Sequence, residues 1–172
     1  MNITPINKVY NLIILDESGS MESIKRATIN GFNELLQSIK RSAEEDPQIR
    51  QWVNFYSFNG AAIKEQVALS PAGELVPLTA KNYRPDNMTP LYDAIGMACN
   101  KLHQPVERET DYSVLVTILT DGEQNHSKEY THASINALIT ALKSKGWVFT
   151  YIGANHDVEK VAFSLNISNH LH

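Results

Sequence analysis

The sequence predicts an α/β domain in which helices cover both faces of a mainly parallel central sheet. Three observations support this doubly wound arrangement. Apolar runs without clean alternation, typical of strands covered on both faces, recur along the 172 residues. Segments with the apolar spacing of helices lie between these runs. An Asn-Gly pair at residues 59–60 indicates a hairpin, which adds one antiparallel edge strand.

The predicted strands are short and rich in Val, Ile, Leu and aromatic residues. The longest apolar runs span residues 9–15, 112–120 and 147–152. A further strand at 52–58 leads into Asn59-Gly60 and then into residues 61–69, so these two strands should pair antiparallel, with positive φ at both turn positions. The other strands alternate with helices, so right-handed crossovers should make them parallel.

Four segments repeat apolar residues at the spacing of an amphipathic helix. They span residues 24–39, 91–102, 135–142 and 158–165. Residues 70–90 contain four prolines and show no sustained period, so they should form a long irregular connection of the kind that is usually functional. After the fourth helix little chain remains, so the far edge is either truncated after about residue 166 or closed by a very short strand.

Composition limits the classes of function. A hydrophobic content of 42% can close one sizeable core, so we expect one domain over residues 1–172. The net charge is −4 and the basic residues are scattered, which argues against nucleic acid or an anionic membrane as a partner. The N-terminus lacks a signal-like apolar segment and Cys99 is the single cysteine, so we expect a cytoplasmic protein. The sequence leaves the oligomeric state open.

Small oxygen-bearing side chains follow two of the predicted strands. Asp16, Ser18 and Ser20 come directly after the first strand, and Asp121 follows the run that ends at Thr120. In doubly wound sheets, ligands bind outside the carboxyl ends of the strands where the strand order reverses. If these strands are neighbours, Asp16 and Asp121 should emerge side by side, and the long connection can bring Thr89 over them. Such donors suit a hard divalent cation.

Three segments together resemble the von Willebrand factor A (VWA) family. They are Asp-Glu-Ser-Gly-Ser at 16–20, Thr-Pro-Leu-Tyr-Asp-Ala at 89–94 and Thr-Asp-Gly at 120–122. The family's metal-ion-dependent adhesion site (MIDAS) is written D-x-S-x-S, then a distant Thr, then a distant Asp. The resemblance covers almost the whole chain and implies a Rossmann-like fold in an intracellular, bacterial-type, stand-alone VWA protein.

The resemblance also implies how the site works. Ser18, Ser20 and Thr89 would be direct ligands of Mg²⁺, with Mn²⁺ or Ca²⁺ as alternatives, and Asp16 and Asp121 would act largely through water. The remaining metal position would accept an Asp or Glu side chain from a protein partner. The free N–H groups of a helix beginning near Met21 should favour the same anion. The chain would then be a non-enzymatic, metal-dependent protein-interaction module.

Two other functions stay open at this point. The same site could serve a metal-dependent hydrolase or phosphatase, although the sequence has no Gly-x-Ser-x-Gly segment and no second carboxylate cluster. A degenerate domain that binds its partner without metal is the third hypothesis. An alternative role for Asp16 and Ser18 is to cap the following helix. We expect Asp16 to be a solvent-facing loop carboxylate that contributes little packing.

Several other polar residues are expected to have ordinary roles. Asp93 should be solvated or pair with a helix dipole, outside the metal shell, and Glu17 and Glu123 should be solvated residues that flank the site. Cys99 should be a small, semi-buried apolar residue. The spacing of the histidines matches no recognised zinc pattern; the four considered are His126, His156, His170 and His172.

Overall fold

A computed structural model describes residues 6–121 and 124–153 and the backbone of residues 169–171. The strands are β1 (Lys8–Asp16), β2 (Arg50–Phe58), β3 (Ile63–Pro71), β4 (Tyr112–Leu119), β5 (Val148–Ile152) and β6 (Asn169–Leu171). The α-helices are α1 (Lys25–Glu45), α2 (Leu91–Val106) and α3 (His132–Ser144), and two 3₁₀ helices span Gly19–Ile24 and Ala72–Glu74. No helix in these ranges is long and apolar enough to span a bilayer.

The described strands form one sheet in the order β3-β2-β1-β4-β5-β6. All neighbouring strands are parallel except β2 and β3, which pair antiparallel at one edge. The predicted fold class is therefore confirmed. The strand order reverses at β1, whose neighbours are β2 and β4, and Leu15 pairs with Leu119 at the carboxyl ends. The residues that follow these two strands consequently emerge next to each other.

Both faces of the sheet are buried, as the uninterrupted apolar runs predict. Along β1, Leu12 and Ile14 belong to the core shared with α2 and α3, whereas Ile13 and Leu15 pack on the side of α1. Cys99 lies on α2 in the first of these cores and has no exposed surface, so it is more deeply buried than predicted. Burial raises the pKa of the Cys99 thiol to about 12. Cys99 therefore serves as an apolar packing residue.

The Asn59-Gly60 hairpin forms, but its turn differs from the prediction. Neither residue has positive φ; among the described residues other than glycine, positive φ occurs at Asn87, Asp111 and His126. Instead, the Asn59 side chain accepts hydrogen bonds from the backbone N–H groups of Ala61 and Ala62 at 2.9 and 3.3 Å. The four-residue loop is therefore held by an Asx-type turn.

The long connection between β3 and α2 is irregular, as predicted, apart from its short 3₁₀ helix. It packs Leu75, Leu78 and Tyr83 into the core on the α1 side. Asn33 on α1 holds its middle, since the Asn33 amide both accepts from Leu78 N (2.8 Å) and donates to Leu78 O (3.0 Å). The connection is thus packed on α1 over much of its length.

The far edge of the sheet ends in a very short strand, which was one of the two predicted alternatives. β6 has three residues and pairs parallel with β5. The predicted fourth helix at 158–165 lies outside the described residues.

Candidate metal site

Asp16 is the centre of the candidate site and is completely buried. Its Oδ1 accepts hydrogen bonds from the backbone N–H of Ser18 at 2.8 Å and from the Ser18 hydroxyl at 2.5 Å, and its Oδ2 accepts from the Thr120 hydroxyl at 2.7 Å. The expectation of a solvent-facing loop residue is therefore wrong. Asp16 is the last residue of the central strand, so the ends of β2 and β4 flank it on both sides.

Burial raises the pKa of Asp16 from its ordinary value of 3.8 to about 6. The hydrogen bonds from Ser18 and Thr120 oppose this rise, whereas the charge of Asp121 adds to it. The influence of Asp121 agrees with the predicted placement of the two carboxylates side by side. Asp16 and Asp121 are both buried at this end of the sheet, and a bound divalent cation would offset the cost of burying their charges.

The hydroxyls of Ser18 and Ser20 lie next to each other, with their Oγ atoms 3.3 Å apart. Adjacent ligands of an octahedral Mg²⁺ with bonds of about 2.1 Å are roughly 3 Å apart, so this spacing fits two neighbouring ligand positions. The Ser18 hydroxyl donates its proton to Asp16, which leaves its oxygen lone pairs for another partner. The donor set therefore fits a hard cation.

Capping of the following helix was the alternative role for Asp16 and Ser18, and it is not observed at Ser18. Ser18 occupies the N-cap position of the 3₁₀ helix Gly19–Ile24, but its side chain makes no capping hydrogen bond. The expected α-helix near Met21 also differs, because this segment is a 3₁₀ helix and α1 begins only at Lys25. The dipole of α1 therefore starts further from the site than predicted.

Thr89 is buried, and the segment that contains it, residues 87–89, is held from two sides. Gly19 N donates to Asn87 O at 2.9 Å, which joins the Thr89 segment to the loop that carries Ser18 and Ser20. On the other side, Thr89 N donates to Asn125 Oδ1 and Asn125 N donates to Thr89 O, both at 2.8 Å. Residues 16–20, 87–89, 120–121 and 124–125 thus meet at one end of the sheet, while the metal-ligand roles of the five predicted residues stay predictions.

Several residues that support the site were missed or misjudged from sequence. Tyr83 is fully buried in the long connection, and its hydroxyl donates to Asp16 O at 2.5 Å. Glu17 does more than flank the site, since its side chain accepts from Arg84 N and its carbonyl from Asp86 N, both at 2.9 Å. The sequence signal for these contacts was limited to the lack of regular structure in residues 70–90. Glu123 lies outside the described residues.

Asp93 lies in the first turn of α2, where one of its two expected roles, pairing with the helix dipole, is possible, but it also makes hydrogen bonds that were not predicted. Its carboxylate accepts backbone hydrogen bonds from Lys128, Glu129 and Tyr130 at 2.7 to 3.0 Å, so it organises the backbone that leads into α3. Within the residues that the structure describes, no three or more His, Cys, Asp or Glu side chains form a group suited to a metal.

The order of strands and helices defines a VWA-like α/β domain. The VWA domain of SpRpn10 matches with a TM-score of 0.53 and 13% identity, over 94% of this chain and 85% of that domain. The pilus adhesin SpaC from Lactobacillus rhamnosus GG matches the whole chain with a TM-score of 0.63 and 15% identity, but the chain spans only 28% of the adhesin. Proximal thread matrix protein 1 from the mussel byssus matches with a TM-score of 0.50 and 13% identity, over 96% of this chain and 37% of that protein. No family model and no curated protein sequence matches the chain.

Proposed function

We propose that this domain binds one divalent cation and through it an acidic side chain of a protein partner. The observation that carries the proposal is the buried Asp16 carboxylate, which holds the Ser18 hydroxyl 3.3 Å from that of Ser20. Ser18, Ser20 and Thr89 would contact the metal directly, whereas Asp16 and Asp121 would act largely through water. Mg²⁺ is the cation we expect, with Mn²⁺ or Ca²⁺ as alternatives.

The chemistry of the ligands determines which partner group is favoured. Three neutral hydroxyls leave most of the cation's charge uncompensated, so an anionic oxygen completes the shell better than an amide does. The VWA-like fold is consistent with a protein-interaction role. We therefore propose a partner that presents an Asp or Glu side chain.

Calorimetric titration with Mg²⁺, Mn²⁺ and Ca²⁺ in turn tests the metal site without a known partner. We expect one cation per chain, and we expect Ser18→Ala to weaken the affinity about tenfold or more. Ser23→Ala is the matched control, because the Ser23 hydroxyl lies in the same turn but donates to Ser20 O at 3.2 Å on the exposed side. Equal affinities in the wild type and Ser18→Ala would contradict the proposal.

We further propose that the domain is not an enzyme. A hydrolase or phosphatase using this site would need an assembled base and nucleophile, and the sequence has no Gly-x-Ser-x-Gly segment and no second carboxylate cluster to supply them. Hydrolysis of generic esters and phosphate esters should stay at background with Mg²⁺ or Mn²⁺ present. Metal-dependent turnover that Ser18→Ala removes would favour the hydrolase, and chelator-insensitive binding of a partner would favour a metal-free binding domain.

A further inference from the structure

We propose that Asn125 and Asp93 are positioning residues that set the location of Thr89 at the metal site. This inference rests on the proposed function, since it assigns a role to residues that would not touch the metal themselves. It concerns two segments, residues 89–93 and 124–130, which lie more than 30 residues apart in the chain and are joined by hydrogen bonds.

Asn125 satisfies both backbone polar groups of Thr89. Its side-chain oxygen accepts from Thr89 N, and its own backbone N–H donates to Thr89 O, each at 2.8 Å. Pro90 follows Thr89 and restricts its backbone to extended conformations. With φ and ψ limited in this way and both backbone groups bonded to one residue, the Thr89 hydroxyl has a defined place relative to the end of β4.

Asp93 fixes the loop from which Asn125 reaches Thr89. Its carboxylate accepts three consecutive backbone N–H groups, those of residues 128–130, and a carboxylate with such donors makes stronger hydrogen bonds than a neutral amide. The Tyr130 ring then lies against Gly96 of α2, where an added Cβ would be only 2.5 Å from the ring. The loop therefore sits directly on the helix that follows Thr89.

The first turn of α2 also donates backbone hydrogen bonds to side chains of the same loop. Tyr92 N donates to Gln124 Oε1 at 3.0 Å, and Asp93 N donates to Ser127 Oγ at 3.2 Å. The Ser127 hydroxyl in turn donates to Gln124 Oε1 at 2.8 Å. These contacts satisfy N–H groups that a helix N-terminus otherwise leaves without a partner. Side chains of each segment thus bond the backbone of the other, so residues 89–93 and 124–130 should move as one unit.

The main test compares Asn125→Ala with Asn33→Ala. Asn33 is the control because its side chain also holds the backbone of one loop residue. The Asn33 amide bonds both Leu78 N and Leu78 O on the α1 side, whereas the Asn125 side chain bonds only Thr89 N. Two quantities are measured for each variant: Mg²⁺ affinity by calorimetry, and exchange of the Thr89 amide proton in the metal-free protein. We expect Asn125→Ala to weaken Mg²⁺ binding about tenfold and to speed Thr89 exchange by a similar factor. Asn33→Ala should leave both at the wild-type value.

Conservative variants separate positioning from general stability. Asn125→Asp keeps an acceptor oxygen for Thr89 N, so the protection of the Thr89 amide should return. Asp93→Asn offers one acceptor oxygen instead of two, so exchange should quicken at residues 128–130 and at Thr89. Asn125 is exposed, so its truncation removes little packing. If Asn125→Ala proves unfolded, Asp93→Asn decides by the same two measurements.

The outcomes distinguish this inference from the proposed function. If the wild type binds Mg²⁺ and Ser18→Ala does not, but Asn125→Ala and Asp93→Asn bind normally, the positioning role is wrong and the metal site stands. If the wild type binds no divalent cation, the proposed function falls, and this inference falls with it. Weakened binding in Asn33→Ala equal to that in Asn125→Ala would also overturn the positioning role, because the effect would then be a general loss of stability.

Discussion

The behaviour of Asp16 depends on its surroundings more than on its position in a motif. The sequence locates this carboxylate at a strand end, because the apolar run before it is local and clear. Its burial depends on β2 and β4, which are added later in the chain and pair on either side of β1. A charged group in this environment costs free energy unless it is protonated or paired. Asp16 therefore makes stability depend on pH.

The first prediction concerns that dependence in the metal-free protein. The folded-state pKa of Asp16, about 6, lies above the unfolded value of 3.8, so its contribution to stability is full below the unfolded value and is lost as pH rises through about 6. The loss is about 3 kcal/mol. Urea unfolding of wild type and Asp16→Asn should show it as a difference between variants that changes from about pH 4 to 6. If the free energies of unfolding of the two proteins change in parallel with pH, the raised pKa of Asp16 is wrong, because all other carboxylates are common to both proteins.

The second prediction compares two buried tyrosines. The Tyr83 hydroxyl donates to the Asp16 backbone, whereas the buried Tyr151 hydroxyl has no hydrogen-bond partner among the residues that the structure describes. Tyr83→Phe should therefore lower the free energy of unfolding by about 1–2 kcal/mol, and Tyr151→Phe should be neutral or stabilising. Denaturant titrations of both variants check this expectation. The reverse order would show that the Tyr83 contact contributes little.

Elements were predictable where their signal is local, and contacts between elements were not. The periods of the apolar residues locate β1, β4, α2 and α3, because burial on one or both faces leaves a pattern within each segment. The partners of Tyr83 and Asn125 lie 67 and 36 residues away, and no local pattern encodes such pairs. The burial of Asp16 was missed for the same reason. The candidate site was visible because Asp16, Ser18 and Ser20 lie within five residues and two later short segments complete the family pattern.

Gly60 shows how a correct prediction can rest on the wrong cause. The Asn-Gly pair does form a hairpin, yet φ at Gly60 is not positive. The constraint is space, because a Cβ at Gly60 would lie 2.4 Å from Asn87 Oδ1 and 2.8 Å from Met88 Cβ. The hairpin tip therefore packs closely on the segment that precedes Thr89.

The third prediction follows from this close packing. Gly60→Ala should displace residues 87–88 and cost roughly 1–3 kcal/mol of stability. Gly73→Ala is the control, because nothing lies within 4 Å of the added methyl group there. Urea unfolding of both variants measures the difference. An equal effect at the two positions would mean that the hairpin tip adapts without strain.

Over the whole molecule, the net charge of −4 opposes the partner that we propose. A protein with this charge should repel an acidic partner at long range, so the attraction has to come from the cation alone. Salt screens the repulsion between exposed charges more than it weakens a direct metal bond. The interaction should therefore persist when salt is raised and vanish with a chelator.

The fourth prediction states this for a partner once one is known. Replacing its interface Asp or Glu residues singly by Asn or Gln should identify one position whose loss removes the metal-dependent part of the affinity. Binding is measured with metal and with chelator, at low and high salt. If no single amide replacement has this effect, or if salt abolishes binding, the carboxylate bridge is incorrect.

The hydrogen bond from Thr120 to Asp16 spans 104 residues, which has a consequence for the order of folding. Contacts of such long range form late, because the chain loses entropy in closing a large loop before the contact contributes favourable free energy. The site should then be incomplete in the folding transition state, and interactions absent from that state change the unfolding rate rather than the folding rate. As a fifth prediction, saturating Mg²⁺ should slow unfolding and leave the folding rate nearly unchanged in stopped-flow measurements; a cation that accelerated folding instead would show that the site assembles early. Bound metal would thus lengthen the lifetime of the native state without guiding the chain toward it.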